Sequence, residues 1–304
     1  MKSPAQNHFP QVIIENGHKW LYNPVLKKRF RDRPEERARL GWLEYLLHQT
    51  GVKKSRIGFE NPVKLPQAKN DLRADIIIYN EAMKPSILVE CKAENVRLNA
   101  SAAEQAARYN QALGADFLVL TNGVEDLWFQ CGEGGTNPVS SQFDYDENFK
   151  ADKKTDYWKK RGFLKSTENP ILSEFTTDLL NNFWKNKIVG SRRYLAFQGS
   201  IDGLPMSHYY KIAEINEQTK LAITVAGSRS SGQYLIAIRN EDGVATGMIS
   251  VDLEMILSKE NPAVTVYIEG DTVERGADME SLFLDKSKKG YLKKLPESLL
   301  NFFD

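Results

Sequence analysis

Cysteine is scarce in this chain: Cys91 and Cys131 are the two it has among 304 residues. Two thiols cannot build a disulfide framework or a cysteine-based zinc cluster, and they fit a reducing compartment. Histidine is equally thin, with His8, His18, His48 and His208 scattered at no zinc-ligand spacing. Any metal is therefore expected to be a hard ion held by carboxylates. No apolar run approaches the ~18 residues of a membrane span, and the opening MKSPAQNHFP lacks the regions of a secretory signal. A cytoplasmic location with no membrane partner is the expectation. An excess of one charge is missing too: 41 Lys and Arg against 40 Asp and Glu leave a net +1. That balance neither supports nor excludes a nucleic-acid partner, because a local patch can bind phosphate on a neutral protein. Basic residues cluster at Lys27, Lys28, Arg29, Arg31 and Arg33, then within 153–161 and 286–294; each cluster by itself reads as solvated surface.

What is present is an ordinary globular composition, 41% hydrophobic and 27% charged, long enough for one large domain or two ordinary ones. The stretch 33–49 reads as an amphipathic helix, with Pro34 in its first turn, Glu35 and Glu36 at its positive end, and Leu40, Leu43 and Leu47 at helical spacing. A short strand near 57–63 carries Pro62, which marks an edge. Two strong strand signals follow, Asp75 to Tyr79 and Ser86 to Lys92, joined by turn residues as a hairpin. A helix over about 101–113 ends at Gly114, and strands at 116–121 and 126–130 pair across Asn122-Gly123. This order predicts a mixed α/β sheet flanked by helices in residues 1–131. Residues 132–169, rich in Gly, Asn, Ser, Asp and Lys, read as a linker or surface excursion. Residues 170–304 read as an accessory domain, α+β or β-sandwich-like. It opens with a helix over 171–187 presenting Ile171, Phe175, Leu179 and Phe183, followed by six short strands.

The chemistry concentrates on the hairpin. Side chains alternate along a strand, so Asp75, Ile77 and Tyr79 share a face, as do Leu88, Glu90 and Lys92. Ile76, Ile78, Ile87, Val89 and Cys91 take the other. Charges in strands built for burial are costly unless they are paired or hold a metal. Two carboxylates that would repel each other suit a divalent cation, which activates water and neutralises charge in phosphodiester hydrolysis. Lys92 could position the water or stabilise the added charge, and the Cys91 carbonyl is a further candidate ligand. The same residues also fit a buried ion pair with no catalytic role.

The pattern Asp75…Glu90-x-Lys92 resembles the PD-(D/E)xK nuclease superfamily. More narrowly, residues 19–130 resemble the N-terminal nuclease domain of type I restriction enzyme R subunits and its stand-alone bacterial relatives. The matching segments are Tyr22-Asn-Pro-Val-Leu-Lys-Lys28, Arg33-Pro-Glu-Glu-Arg-Ala-Arg39, Arg73-Ala-Asp75 and Val89-Glu-Cys-Lys92, with Gln105-x-x-x-Tyr109 matching the helical motif of the RecB-like branch. Ala74 stands where a proline is usual. The resemblance implies a restriction-endonuclease-like fold in which Asp75 and Glu90 bind Mg2+, with Mn2+ able to substitute, and Lys92 assists. Glu36, with Glu35 competing, would be an auxiliary acid, while Gln105, Tyr109 and Arg73 would contact DNA or support the site.

The motor that follows this domain in R subunits has no counterpart here. Gly227-Ser-Arg-Ser-Ser-Gly232 has phosphate-loop glycine spacing, but Gln233 replaces the lysine, so ATP hydrolysis is not expected. The expectation is a metal-dependent DNA endonuclease, with defence against foreign DNA as its setting and a homodimer favoured if both strands are cut. Two other readings stay open: a non-catalytic nucleic-acid-binding or regulatory protein that kept the fold, and a nuclease gated by a ligand-sensing C-terminal domain.

Overall fold

Short strands come first. In the computed structural model of the chain, residues 1–63, 72–132, 135–143, 153–185, 189–197, 206–228, 232–268 and 270–304 are described, and the side chains at 60–63 and 72–73 fall outside that description. Strands β1 (Gln11–Glu15), β2 (His18–Asn23) and β3 (Lys28–Arg31) form a small antiparallel sheet in that order. Val12, Leu21 and Phe30 turn inward from it onto the core.

Helix α1 (Pro34–Gln49) follows, with Pro34, Glu35 and Glu36 in its first turn as the sequence predicts. It is not amphipathic through its centre, however. Leu40, Gly41, Trp42, Leu43, Glu44, Tyr45 and Leu46 are all buried in unbroken succession. The reason is that α1 is sandwiched: β5 and β6 pack on one side, β2 and the 3-10 turn at Pro4–Asn7 on others. Its buried polar residues are accommodated by partners. Glu44 accepts from Gln11 Nε2 at 3.0 Å and faces His48 Nε2 at 3.1 Å. The Trp42 indole donates to Asp126 Oδ2 at 3.2 Å, and its ring lies 6.4 Å from Trp128 and 5.5 Å from Tyr45.

The main sheet of this unit has six strands in the order β4 (Ile57–Val63), β5 (Leu72–Tyr79), β6 (Pro85–Cys91), β7 (Phe117–Thr121), β8 (Asp126–Gly132) and β9 (Gly135–Val139). The β6–β7 pair is parallel and the others are antiparallel. Helix α2 (Ala100–Leu113) makes the parallel crossover, capped by the Asn99 side chain on Ala102 N–H and closed by Gly114 at φ 71°. β4, carrying Pro62, is an edge strand, as a missing N–H requires. Ile76, Ile78, Ile87, Val89 and Cys91 pack on the α1 side, while Ala74, Ile77 and Leu88 pack with Ala106 of α2.

The chain divides into two compact units, Met1–Phe149 and Lys150–Asp304. Within the 132–169 stretch expected as linker, β9 belongs to the first unit's sheet and helix α3 (Thr155–Lys159) to the second unit. Residues 133–134 and 144–152 of that stretch lie outside the described residues.

The second unit continues with α4 (Pro170–Lys185) and a seven-stranded antiparallel meander: β10 (Ser191–Ala196), β11 (Ser207–Glu214), β12 (Thr219–Gly227), β13 (Gln233–Glu241), β14 (Val244–Asp252), β15 (Val264–Ile268) and β16 (Asp271–Arg275). Helices α5 (Leu253–Ser258) and α6 (Leu295–Leu300) accompany it. Among the described residues this unit has a single sheet, so the β-sandwich expectation gives way to its α+β alternative. Leu179 and Phe183 of the expected α4 stripe are buried, but its N-terminal part is carried by Leu172 and Thr176, with Phe175 half-buried and Ile171 68% exposed. Thr176 tolerates burial because its hydroxyl donates to the Leu172 carbonyl at 2.7 Å. Trp158 and Trp184 each pack edge-on to Phe163. Residues 186–187, Gln198 and 229–231 of the phosphate-loop-like segment lie outside the described residues. No helix among the described residues is long and apolar enough to cross a membrane.

Candidate active site

The hairpin builds the site because its two strands part there. β5 and β6 pair through Ile78–Ile87, Ile77–Leu88 and Ile76–Val89. One residue further along each strand come Asp75 and Glu90. At this point the Cys91 N–H donates to Asp75 Oδ2 at 2.8 Å instead of to a β5 backbone carbonyl. The carboxylate thus takes over a position that ladder hydrogen bonding would occupy, and it is fixed by that bond.

Around it lie charges of both signs. Arg39 of α1 donates from Nη1 to Asp75 Oδ1 at 3.0 Å and from Nη2 to the Glu36 carboxylate. Its guanidinium lies 5.1 Å from the centre of the Phe59 ring and 6.0 Å from that of Phe30. Lys92 Nζ donates to Glu90 Oε1 at 2.8 Å. Glu36 and Glu90 are buried, whereas Glu35 is exposed.

The electrostatics follow from this crowding. Burial, then the neighbouring Glu90 charge, pushes the Asp75 carboxyl up to about 7, against the pull of Arg39 and the Cys91 N–H bond. Its ion pair with Arg39 therefore does not compensate fully for desolvation and carboxylate repulsion. Burial opposes the charge on Lys92, but the hydrogen bond and charge of Glu90, with Glu35 and Asp75 adding to them, hold its ammonium above the ordinary range. Arg39 behaves alike: burial works against it, yet Asp75 and Glu36 raise it further. Burial also lifts the Cys91 thiol well above its usual value, so this residue can serve a cation only through its backbone carbonyl.

A divalent ion fits this set. Four carboxylates in electrostatic contact, Glu35, Glu36, Asp75 and Glu90, face two cations, Arg39 and Lys92. When all four carboxylates are ionised the excess of two negative charges is what one divalent cation balances, and such an ion would favour the ionised form of Asp75. Among the described residues no cluster of three or more His, Cys, Asp or Glu side chains is arranged to hold a metal. Mg2+ does not need one, since it is commonly held by one or two carboxylates with water completing its shell.

The structure brings Asp75, Glu90, Lys92 and Glu36 into one network. It leaves Glu35 within electrostatic reach of Asp75 and Lys92, so both candidate acids of α1 border the site. On α2, Gln105 Nε2 donates to the Tyr109 hydroxyl at 2.7 Å, and Tyr109 packs against the α2-side core. The Arg73 side chain lies outside the described residues. Arg39 is the residue whose part sequence reasoning missed. Its spacing of three from Glu36 on a helix was the available signal, because such residues are neighbours on one face.

Residues 34–141 match the family described as the type I restriction enzyme R protein N terminus, HSDR_N. Over those residues the chain is similar to an R-subunit-type N-terminal domain, a nuclease-like and generally metal-dependent family. Among solved structures, a fragment of an HsdR subunit of a type I restriction enzyme from Vibrio vulnificus is similar at 21% identity, with a TM-score of 0.29. The match covers 51% of this chain and 33% of that one, so the chain spans about a third of that protein's length. No curated protein matches the chain.

Proposed function

We propose that the first unit is a metal-dependent DNA nuclease that hydrolyses phosphodiester bonds at Asp75, Glu90 and Lys92. The observation that carries this reading is the placement of a half-buried and a buried carboxylate beside a lysine where β5 and β6 part, with carboxylates outnumbering cations. Asp75, Glu90 and the Cys91 carbonyl would hold Mg2+ or Mn2+. Once bound, such an ion supplies Lewis-acid stabilisation of phosphate charge and a more acidic water. Glu90 anchors Lys92 Nζ, so the ammonium is fixed where it can donate a hydrogen bond to the attacking water or face the phosphate. Cys91 N–H fixes the rotation of the Asp75 carboxylate. Gln105 and Tyr109, locked to each other, present a hydrogen-bonding pair on α2 suited to the DNA backbone. One such site cuts one strand, so double-strand cleavage would call for a homodimer. The second unit would supply recognition, regulation or assembly, and defence against foreign DNA would be the setting.

Cleavage of supercoiled plasmid by the purified full chain tests this. Activity with Mg2+ or Mn2+, lost in EDTA and lost in Asp75→Ala, Glu90→Ala and Lys92→Ala, is the expected result. Cleavage that persists after exhaustive EDTA treatment overturns it. A second reading is favoured by the bridging of Asp75 and Glu36 by Arg39: a non-catalytic DNA-binding protein whose acidic groups serve an ion-pair network. DNA binding without cleavage under any divalent metal selects that reading.

A further inference from the structure

We propose that Arg39 is a positioning residue that governs metal entry. Its guanidinium holds Asp75 and Glu36 in the metal-free protein, and a divalent cation must loosen that hold to bind. This inference rests on the metal-dependent reading above.

Three observations carry it. First, Arg39 holds both acids at once, with Nη1 on Asp75 Oδ1 at 3.0 Å and Nη2 on the Glu36 carboxylate. Second, it is held in place: its side chain is 12% exposed and lies against the Phe59 ring, so it is not a mobile surface charge. Third, both oxygens of the presumptive metal ligand are already engaged, Oδ1 by Arg39 and Oδ2 by the Cys91 N–H.

A carboxylate has about four lone-pair sites, so a metal can share Asp75 without expelling Arg39. Sharing nonetheless sets a cation about 2.1 Å from one oxygen beside a guanidinium that stays within hydrogen-bond reach of the same carboxylate. Two positive centres that close, with little water between them, repel strongly. The charge count gives the sign. With Arg39 in place, the four acids and two bases leave a deficit of two positive charges; without it, the deficit is three. Arg39 therefore stabilises the metal-free site and weakens the metal-bound one. Its consequence is a site that stays ordered without metal and fills only when the divalent-ion concentration is sufficient.

The test measures Mn2+ binding to the full chain by electron paramagnetic resonance of the free ion, alongside thermal melting with EDTA and with Mn2+. Arg39→Gln is expected to bind Mn2+ about tenfold more tightly or better, to melt lower than wild type in EDTA, and to show a larger rise on loading. Equal or weaker affinity in folded Arg39→Gln overturns the proposal. Should that variant fail to fold, Arg39→Met decides: it too removes the charge that repels the ion while keeping an unbranched side chain against the Phe59 ring, so tighter Mn2+ binding than wild type supports the proposal and equal or weaker binding overturns it. Asp75→Asn separates this from the functional reading. Mn2+ binding that survives Asp75→Asn removes the metal site and the nuclease assignment together. Binding lost in Asp75→Asn but not raised by either Arg39 variant removes the role of Arg39 alone.

Discussion

The two units handle buried charge in opposite ways. In the first, charge of both signs is concentrated where two strands part, with Asp75, Glu90, Glu36, Arg39 and Lys92 mutually engaged. In the second, Lys211 of β11 is buried near the rings of Phe183 and Trp184, 5.8 and 5.9 Å from their centres, and burial alone pulls it down to about 8. Around it the meander carries apolar residues on both faces, Leu221, Ile223 and Val225 on one and Ala222 and Ala226, with the buried Thr224 between them, on the other. The contrast separates two kinds of cost. A cluster of opposed charges costs less than its isolated members and can be discharged by a ligand. For Lys211 desolvation against the rings is the dominant influence on its charge.

The sharpest way to break the comparison is to strike each unit at its own weak point. Replacing Asp75, Glu90 or Lys92 with alanine is expected to lower plasmid cleavage by about 10³-fold or more, with hydrogen exchange across 150–304 unchanged. Loss of protection in the second unit as well would mean that the site's charges stabilise more than their own unit. Next comes Gly190, at φ 80°, where an added Cβ would lie 1.7 Å from the Ile212 carbonyl oxygen. Gly190→Ala is expected to cost the second unit at least about 4 kcal/mol, measured by urea unfolding, and to leave metal-dependent cleavage chemistry in the first unit intact.

Lys211 gives a smaller effect with a definite pH window. Its folded value of about 8 lies below the unfolded 10.5, so between those values the unfolded chain binds more protons and stability rises with pH. Lys211→Met is expected to remove that rise and to stabilise the protein by roughly 3 kcal/mol at neutral pH. Melting curves taken from pH 7 to 10.5 check it, and an unchanged slope in the variant refutes it. The smallest effect belongs to Asn99, whose side chain accepts from Ala102 N–H at 3.0 Å. Asn99→Ala should cost about 1 kcal/mol, seen as lower exchange protection in α2.

How much of this was legible beforehand depended on whether one strand or one helix carried the signal by itself. The apolar runs around Asp75 and Glu90 marked two neighbouring strands without any tertiary information, and these pair as β5 and β6. Pro62 marked an edge strand for a local reason, its missing N–H. By contrast, the Arg39–Asp75 contact joins residues 36 apart, which no local pattern encodes. β1–β3 were missed because their strands are four to six residues long and their apolar residues fall side by side or singly, with no alternation to read. β16 was missed because every residue from Asp271 to Arg275 is exposed, leaving no hydrophobic period to read. α1 was misjudged because its apolar excess was taken as one stripe, whereas neighbours on several sides bury its whole centre.

The aromatic packing has a practical consequence. The five tryptophans are divided between the units, with Trp20, Trp42 and Trp128 in the first and Trp158 and Trp184 in the second. Trp42 lies 6.4 Å from Trp128 and 5.5 Å from Tyr45, near enough for their electronic transitions to couple, while Trp158 and Trp184 meet Phe163 in a separate group. Each half thus carries its own built-in chromophore. Replacing Trp158 and Trp184 with phenylalanine would leave tryptophan bands, at wavelengths beyond tyrosine absorption, that report on the first half alone, giving a label-free view of its tertiary order as metal or DNA is added.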